Sequence, residues 1–159
     1  MKISDIFKKI KNKNIIVVGD TMLDSYILGK INRQSPEAPV PIVNVVKESE
    51  KLGGAANVIM NLKSLGVNPI LCSVIGDDEN GRKIIRLIKD NKLERKGIVV
   101  EPGRKTTVKK RIIVKKNHIL RIDDEITEPI NKKTRTLIIN KIISFTNVSD
   151  VIIFQYYDK

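Results

Sequence analysis

The chain has 159 residues, 41% of them hydrophobic, and its 30 Lys and Arg residues against 18 Asp and Glu residues give a formal net charge of +12. This size and apolar content suit one folded domain with a core and exclude a disordered chain. One cysteine excludes an internal disulfide, and no run approaches the roughly 20 apolar residues of a membrane span. The amino end shows no secretory signal pattern, so we expect a cytoplasmic protein.

The excess of basic residues raises the question of a nucleic-acid partner. The basic residues are spread along the chain, and aromatic residues make up 4% of it, so no surface for stacking bases is apparent. We therefore interpret the charge as a solvated surface and expect neither nucleic acid nor a membrane as a partner. A basic nucleic-acid binder is kept as an alternative.

The first two predicted elements are a helix and a buried strand. Residues 3–10 carry an apolar stripe at helical spacing, with Ser4 or Asp5 available as a cap, so we expect a helix that packs on the domain. The stretch NIIVVGD, residues 14–20, is a short apolar run that ends in a turn. Such a run is typical of a strand buried on both faces of a parallel sheet.

A second helix and a second strand follow a pair of glycines. Gly53 and Gly54 precede an apolar-rich run that closes on Gly66, which predicts a helix with a glycine turn at each end. Glycine at a helix entrance lets amide groups face a polar or anionic ligand, although such a turn more often serves packing. The stretch NPILCSVIGDD, residues 68–78, predicts a buried strand that contains Cys72.

Two further helices and two further strands complete the alternation. ENGRKIIRLIKDNK predicts a helix capped by Asp77 or Asp78, and GIVV at 97–100 predicts a strand. A helix over about 131–145 and a strand at 150–154 follow, and the helix residues that we expect to face inward are Ile138, Ile139, Ile142 and Ile143. The alternation predicts an open α/β sheet with ligands outside the carboxyl ends of its strands.

Residues 25–47 and 105–123 break the alternation. Both stretches are β-rich, alternate polar and apolar residues, and contain turn residues but no helix. In the second stretch, Asn117 and His118 divide two strands like a hairpin. Such strands cannot lie in the parallel sheet, so we place them together as a small antiparallel lid over the ligand end, where it would exclude water.

Three stretches of the chain carry a resemblance to a known family. The residues Gly53, Gly54, Ala56 and Asn57 resemble the amino-terminal signature of the ribokinase-like (PfkB) carbohydrate kinases. Within that family, VVGDTMLDSY, SPEAPVPIV and GGAANV are similar to the kinases that phosphorylate D-glycero-D-manno-heptose 7-phosphate, an early step towards the ADP-heptose of lipopolysaccharide cores. The resemblance implies a ribokinase-like fold, of which residues 1–159 would be the truncated, amino-terminal part of a single domain.

The resemblance also implies which residues hold the sugar. Asp24 resembles the aspartate that accepts hydrogen bonds from sugar hydroxyls, and Gly53, Gly54 and Asn57 resemble the turn and the amide that hold the sugar against the sheet. We therefore expect Asp24 and Asn57 to share one hollow. Without the resemblance, a solvated turn or a helix cap would be the simpler interpretation of Asp24. Asp20 is expected to brace its turn.

The predicted lid carries further candidates for a phosphorylated substrate. Arg33, in the first lid segment, could shape selectivity. In the second segment, TTVKKR resembles a lid strand of the family, and a period of two puts Thr107, Lys109 and Arg111 on one face. Arginine offers a planar fork and lysine a point charge to the 7-phosphate, whereas a solvated strand face is the alternative for both.

The residues that the family uses for the phosphoryl donor do not occur in the sequence. It contains neither the family's GAGD turn, whose aspartate is the catalytic base, nor a GxxxxGK[ST] loop. Ile59 and Tyr156 depart from the family pattern, which has a small residue and an acidic residue there. The resemblance implies ATP and Mg²⁺ for the complete enzyme. We expect this chain alone to bind neither, to hold no metal and no catalytic residue, and to be inactive.

A second function class is also open. The lid strands could make the chain an oligomerising interaction module derived from the kinase, because exposed strand edges accept partners. The resemblance points the same way, since family members commonly dimerise through their lids. We accordingly expect a phosphorylated sugar as ligand, and as protein partner either a second copy bound through the lid or a polypeptide that carries the missing half.

Overall fold

The computed structural model describes residues 2–157, which form four helices and two four-stranded sheets. The helices are α1 (Ile3–Ile10), α2 (Ala55–Ser64), α3 (Glu79–Asp90) and α4 (Lys132–Thr146). The strands are β1 (Asn14–Gly19), β2 (Thr21–Gln34), β3 (Pro41–Gly54), β4 (Asn68–Gly76), β5 (Ile98–Glu101), β6 (Val108–Val114), β7 (Asn117–Asp124) and β8 (Val151–Gln155). Within residues 2–157, no helix has the length and apolar content needed to cross a membrane.

The first sheet is parallel and has the strand order β5-β4-β1-β8. Alternate side chains of β1 enter different cores: Ile15 and Val17 lie beneath α2 and α3, and Ile16 lies beneath α4. The continuous apolar runs therefore form strands covered on both faces, as the sequence predicts. Cys72 is fully buried in the core under α4, and this burial raises the pKa of its thiol to about 11.

The second sheet, which we call the lid sheet, has the order β3-β2-β6-β7. The pairs β2/β3 and β6/β7 are antiparallel, as predicted, whereas the β2/β6 pair that joins them is parallel. The lid is therefore a mixed sheet, and its strands begin closer to the parallel sheet than predicted. Leu23, Leu52 and Val108, on one face of the lid base, lie in the core beneath α2 and α3, which anchors the lid to the rest of the molecule.

The turn between β6 and β7 differs from the prediction. Lys115 and Lys116 form this turn with φ values of 49° and 70°. Asn117 and His118 instead begin β7, where they pair with β6. Two consecutive residues with positive φ match the twist of a two-residue hairpin, which explains why the turn lies two residues earlier than the sequence suggested.

Two helices present their apolar residues differently from the prediction. In α1 only Ile10 packs on the core, whereas Ile3 is 72% exposed, so the expected packing of the whole stripe is wrong. In α4 the buried residues are Thr134 and Ile138, with Ile142 packed beside them, and the predicted inward residues Ile139 and Ile143 are 45% and 59% exposed. Residues spaced by four share one helix face, and the next residue along points elsewhere.

Candidate functional site

One face of the lid sheet gathers most of the predicted substrate residues. We call it the lid face, and its members are Asp24 and Tyr26 of β2, Lys51 and Gly53 of β3, and Lys109 and Arg111 of β6. Asp24 pairs with Lys51 on one side and with Lys109 on the other, and Tyr26 pairs with Arg111. Directly paired residues point to the same face of a sheet, so these side chains surround Asp24.

Asp24 and Arg111 form an ion pair in the centre of the lid face. Nη1 of Arg111 donates a hydrogen bond of 2.5 Å to Oδ1 of Asp24, and both side chains are largely buried. Burial lowers the pKa of Arg111, but the hydrogen bond and charge of Asp24 outweigh it and raise that pKa above its ordinary value. The carboxylate of Asp24 is thus oriented by Arg111 before any ligand binds.

The two glycines that open α2 are required by close contacts. A β-carbon on Gly53 would lie 2.5 Å from Oδ2 of Asp24, so a larger residue would displace the carboxylate. Gly54 has a φ of 59°, and a β-carbon there would lie 2.2 Å from the carbonyl oxygen of Asp20. Any L-residue at Gly54 would therefore be both strained and in collision with the backbone.

Asp20 braces the turn after β1, as predicted. Its amide donates to the carbonyl of Gln155, and its carbonyl accepts from the amide of Ala55, at 3.1 Å and 2.8 Å. Its side-chain Oδ2 accepts a hydrogen bond of 2.7 Å from the amide of Tyr157. Asp20 therefore ties the ends of β1 and β8 to the start of α2.

Two of the predicted substrate residues form no hydrogen bond or ion pair with this group within residues 2–157. Asn57 is exposed in the first turn of α2, and within residues 2–157 it forms no hydrogen bond with Asp24 or Arg111. Arg33 is exposed near the far end of β2, roughly 30 Å along the strand from Asp24 at the usual rise per residue. The structure therefore joins Asp24, Gly53 and Arg111 and separates Arg33 from them.

Lys109 lies on the lid face but is already paired. Its ammonium group is 2.8 Å from Oδ2 of Asp123 and 3.4 Å from Oε2 of Glu125, and its side chain is 12% exposed. The hydrogen bond from Lys109 holds the pKa of Asp123 below its ordinary value. Lys109 therefore contributes less free positive charge to a ligand than the sequence suggested.

The sequence prediction omitted two residues of the lid face. The Tyr26 ring has two cations beside it: Nζ of Lys51 lies 5.5 Å from the ring centroid, and the guanidinium carbon of Arg111 lies 5.4 Å from it. The strand period of two was the signal for both, since Tyr26 is two residues from Asp24 and Lys51 is two residues from Gly53.

A cavity of about 350 Å³ lies at the carboxyl ends of β1 and β4, on the side of α4. It is lined by Asp20, Thr21 and Arg104 among others, and the Thr21 hydroxyl is buried without a hydrogen-bond partner among residues 2–157. Asp24 and Asn57 do not line this cavity. The hollow that they were expected to share stays a prediction.

The described residues form no cluster of several metal-ligating side chains. Residues 2–157 contain no group of three His, Cys, Asp or Glu side chains that could hold a metal ion. Carboxylate ligands are what Mg²⁺ takes from a protein when it accompanies a nucleotide. The lid face offers a carboxylate, Asp24, and the cations Lys51 and Arg111.

Comparison with known proteins identifies the family. Residues 12–147 match the family described as pfkB family carbohydrate kinase. Among curated relatives, the bifunctional protein HldE of Helicobacter acinonychis is 44% identical over 147 residues, which are 92% of this chain and 32% of that protein. The chain therefore spans about a third of the length of this relative.

Solved structures show the same fold at low sequence identity. A putative sugar kinase from Clostridium perfringens matches 89% of this chain and 43% of its own, with a TM-score of 0.64 and 19% identity. A putative ribokinase from Agrobacterium tumefaciens matches 71% of this chain and 36% of its own, with a TM-score of 0.57 and 21% identity. This chain has the ribokinase-like α/β fold, and it belongs to the pfkB family of carbohydrate kinases.

Proposed function

We propose that this chain is the acceptor-binding part of an ATP-dependent kinase for D-glycero-D-manno-heptose 7-phosphate. The complete cytoplasmic enzyme would transfer the γ-phosphoryl group of ATP to O1 of the sugar and produce the 1,7-bisphosphate. The stretches SPEAPVPIV and GGAANV and the 44% identity to HldE support this substrate. Residues 1–159 would then form the amino-terminal part of a single ribokinase-like domain.

The geometry of Asp24 is the observation that carries the proposal. Its carboxylate is held between the backbone of Gly53 and the guanidinium of Arg111, so its position is fixed in advance. A carboxylate accepts hydrogen bonds from two neighbouring hydroxyls, which is the pattern that a sugar presents. Fixing the acceptor in this way lowers the entropic cost of the reaction.

The phosphoryl donor belongs to the complete enzyme. ATP would supply the transferred group and Mg²⁺ would offset its negative charge there. The contribution of this chain would be to bind and orient the acceptor and, through the lid, to keep water away. We therefore propose that the isolated chain binds the sugar phosphate and transfers nothing.

Calorimetry with heptose 7-phosphate tests this proposal. The isolated chain should bind the sugar, and Asp24→Asn should weaken binding at least tenfold, because the amide cannot accept from two hydroxyls as a carboxylate does. Asp90→Asn, at the exposed end of α3, is the control and should bind normally. Unchanged affinity of Asp24→Asn for the sugar would contradict the proposed role of Asp24 in sugar binding. Formation of bisphosphate after addition of ATP and Mg²⁺ would contradict the inactivity of the isolated chain.

We also propose that a second copy of the chain binds through the lid. The lid exposes large apolar side chains on both of its hairpins, namely Val40, Val45, Val46, Ile119, Leu120 and Ile122. Such side chains gain free energy when a partner covers them. Light scattering should therefore find a dimer, and Val46→Lys should shift it to monomer. A monomer at high protein concentration, for the unmodified chain, would show that the lid does not associate.

A further inference from the structure

The lid face contains one cation that no acidic side chain of residues 2–157 neutralises. Lys51 lies directly opposite Asp24 on β3, but Arg111 takes the carboxylate of Asp24. Within residues 2–157, Lys51 forms no ion pair, and its ammonium group instead lies against the Tyr26 ring. The lid face therefore has, on the strand next to that of Asp24, a positive charge without an acidic partner among the described residues.

Arg111 has unused hydrogen-bond donors beside the same ring. Both of its hydrogen bonds leave from Nη1, to Asp24 and to the carbonyl of Lys109. In the described part of the chain, Nε and Nη2 donate to no protein atom. Arg111 can therefore keep its ion pair with Asp24 and still offer two N–H groups to a second anion.

Tyr26 positions both cations. Its ring lies between the strands that carry Lys51 and Arg111, and each cation is about the same distance from its centroid. A cation against an aromatic ring is attracted to it and loses part of its side-chain freedom. Both charges are thus held beside the same ring on the lid face.

We propose that Lys51 and Arg111 hold the phosphate group of the sugar phosphate while Asp24 accepts hydrogen bonds from its hydroxyls. The inference rests on the proposed function and adds to it the residues that recognise a phosphorylated sugar. A phosphate dianion suits this pair, because arginine supplies a planar fork and lysine a point charge. Lys109 is the weaker candidate, since Asp123 and Glu125 already neutralise it.

The test compares a phosphorylated and an unphosphorylated sugar. Calorimetry measures the binding of heptose 7-phosphate and of the free heptose to the whole chain. Lys51→Gln should weaken binding of the sugar phosphate roughly tenfold and leave binding of the free heptose unchanged. Lys51→Arg should restore most of the affinity. Lys47→Gln removes the same charge from an exposed position further along β3 and should change neither affinity.

The outcomes separate this inference from the proposed function. Two results would show that Lys51 does not bind the phosphate, while leaving the sugar site in place. In one, Lys51→Gln binds the sugar phosphate as tightly as the unmodified chain; in the other, its affinity falls equally for both sugars. If the folded, unmodified chain binds neither sugar, the proposed function fails and the inference fails with it. A loss restricted to the phosphorylated sugar, restored by arginine, supports the inference.

Discussion

The parallel sheet and the lid sheet are stabilised by different interactions. The centre of the parallel sheet is apolar on both faces, with Ile16, Val17 and Leu71 fully buried. In the lid, the residues that join the main core lie at the base, Val114 is buried at the far end of β6, and β7 is exposed along its whole length. The comparison shows that apolar burial fixes the parallel sheet, whereas the lid depends on its base and on polar contacts, which leaves one lid face available for charged groups.

A matched pair of leucine substitutions tests this difference most strongly. Leu71→Ala removes a fully buried side chain and should cost about 2–5 kcal/mol of unfolding free energy, because it leaves a cavity in the core. Leu120→Ala, on β7, removes the same atoms from a side chain that is 53% exposed and should cost less than about 1 kcal/mol. Urea unfolding of both variants measures the two values.

One result for the two leucine variants would contradict the difference between the two sheets. Equal losses at both positions, with unchanged dependence on urea, would mean that β7 is packed as tightly as the centre of the parallel sheet. The lid would then have a second apolar core, and the distinction between the two sheets would fail. If the chain dimerises through the lid, urea unfolding of both variants should be measured at a protein concentration at which the chain is monomeric.

The elements of the parallel sheet were predictable because their sequence signals are local. Each of its strands is an apolar run that ends at a turn, and the expected cap of α3 was Asp77 or Asp78, of which the structure uses Asp78. Asp24 and Gly53 required the family resemblance, since neither has a local signal that distinguishes a binding residue from a turn residue. The structure then added their contact, which depends on the pairing of β2 with β3.

The features that the sequence did not predict are those for which its pattern fits two local arrangements almost equally well. A turn at Lys115 and Lys116 differs from one at Asn117 by a short shift in register, and nothing in the lysines marks positive φ. In α4, isoleucines occur on neighbouring faces, so the apolar pattern alone could not decide which face meets the sheet. The period of two puts Tyr26 on the face of Asp24 and Lys51 on the face of Gly53, but the contact between Lys51 and Tyr26 depends on the pairing of β2 with β3.

The carboxylate of Asp78 is one of the links between the base of the lid and α3. Oδ1 of Asp78 accepts a hydrogen bond of 2.7 Å from the amide of Gly81, and Oδ2 accepts one of 2.8 Å from the amide of Thr106, just before β6. The Thr106 hydroxyl in turn accepts a hydrogen bond from the amide of Gly76. Burial raises the pKa of Asp78, but the bonds from Thr106 and Gly81 outweigh it and hold that pKa below its ordinary value.

Asp78→Asn should have a smaller, pH-dependent effect on stability. At neutral pH it should cost about 1 kcal/mol, because one of the two amides loses a carboxylate acceptor. Since the pKa of Asp78 is lower in the folded state, its contribution is complete above the unfolded pKa of about 4 and disappears as the pH falls through the folded value. The gap in unfolding free energy between the unmodified chain and the variant should therefore narrow on acidification, because asparagine does not titrate. Asp77→Asn is the control. Among the described residues, Asp77 has only an exposed contact of 3.9 Å with Arg82, so this substitution should cost almost nothing. A gap that persists at low pH, or an equal loss for Asp77→Asn, would show that the carboxylate of Asp78 does not hold the lid base to α3.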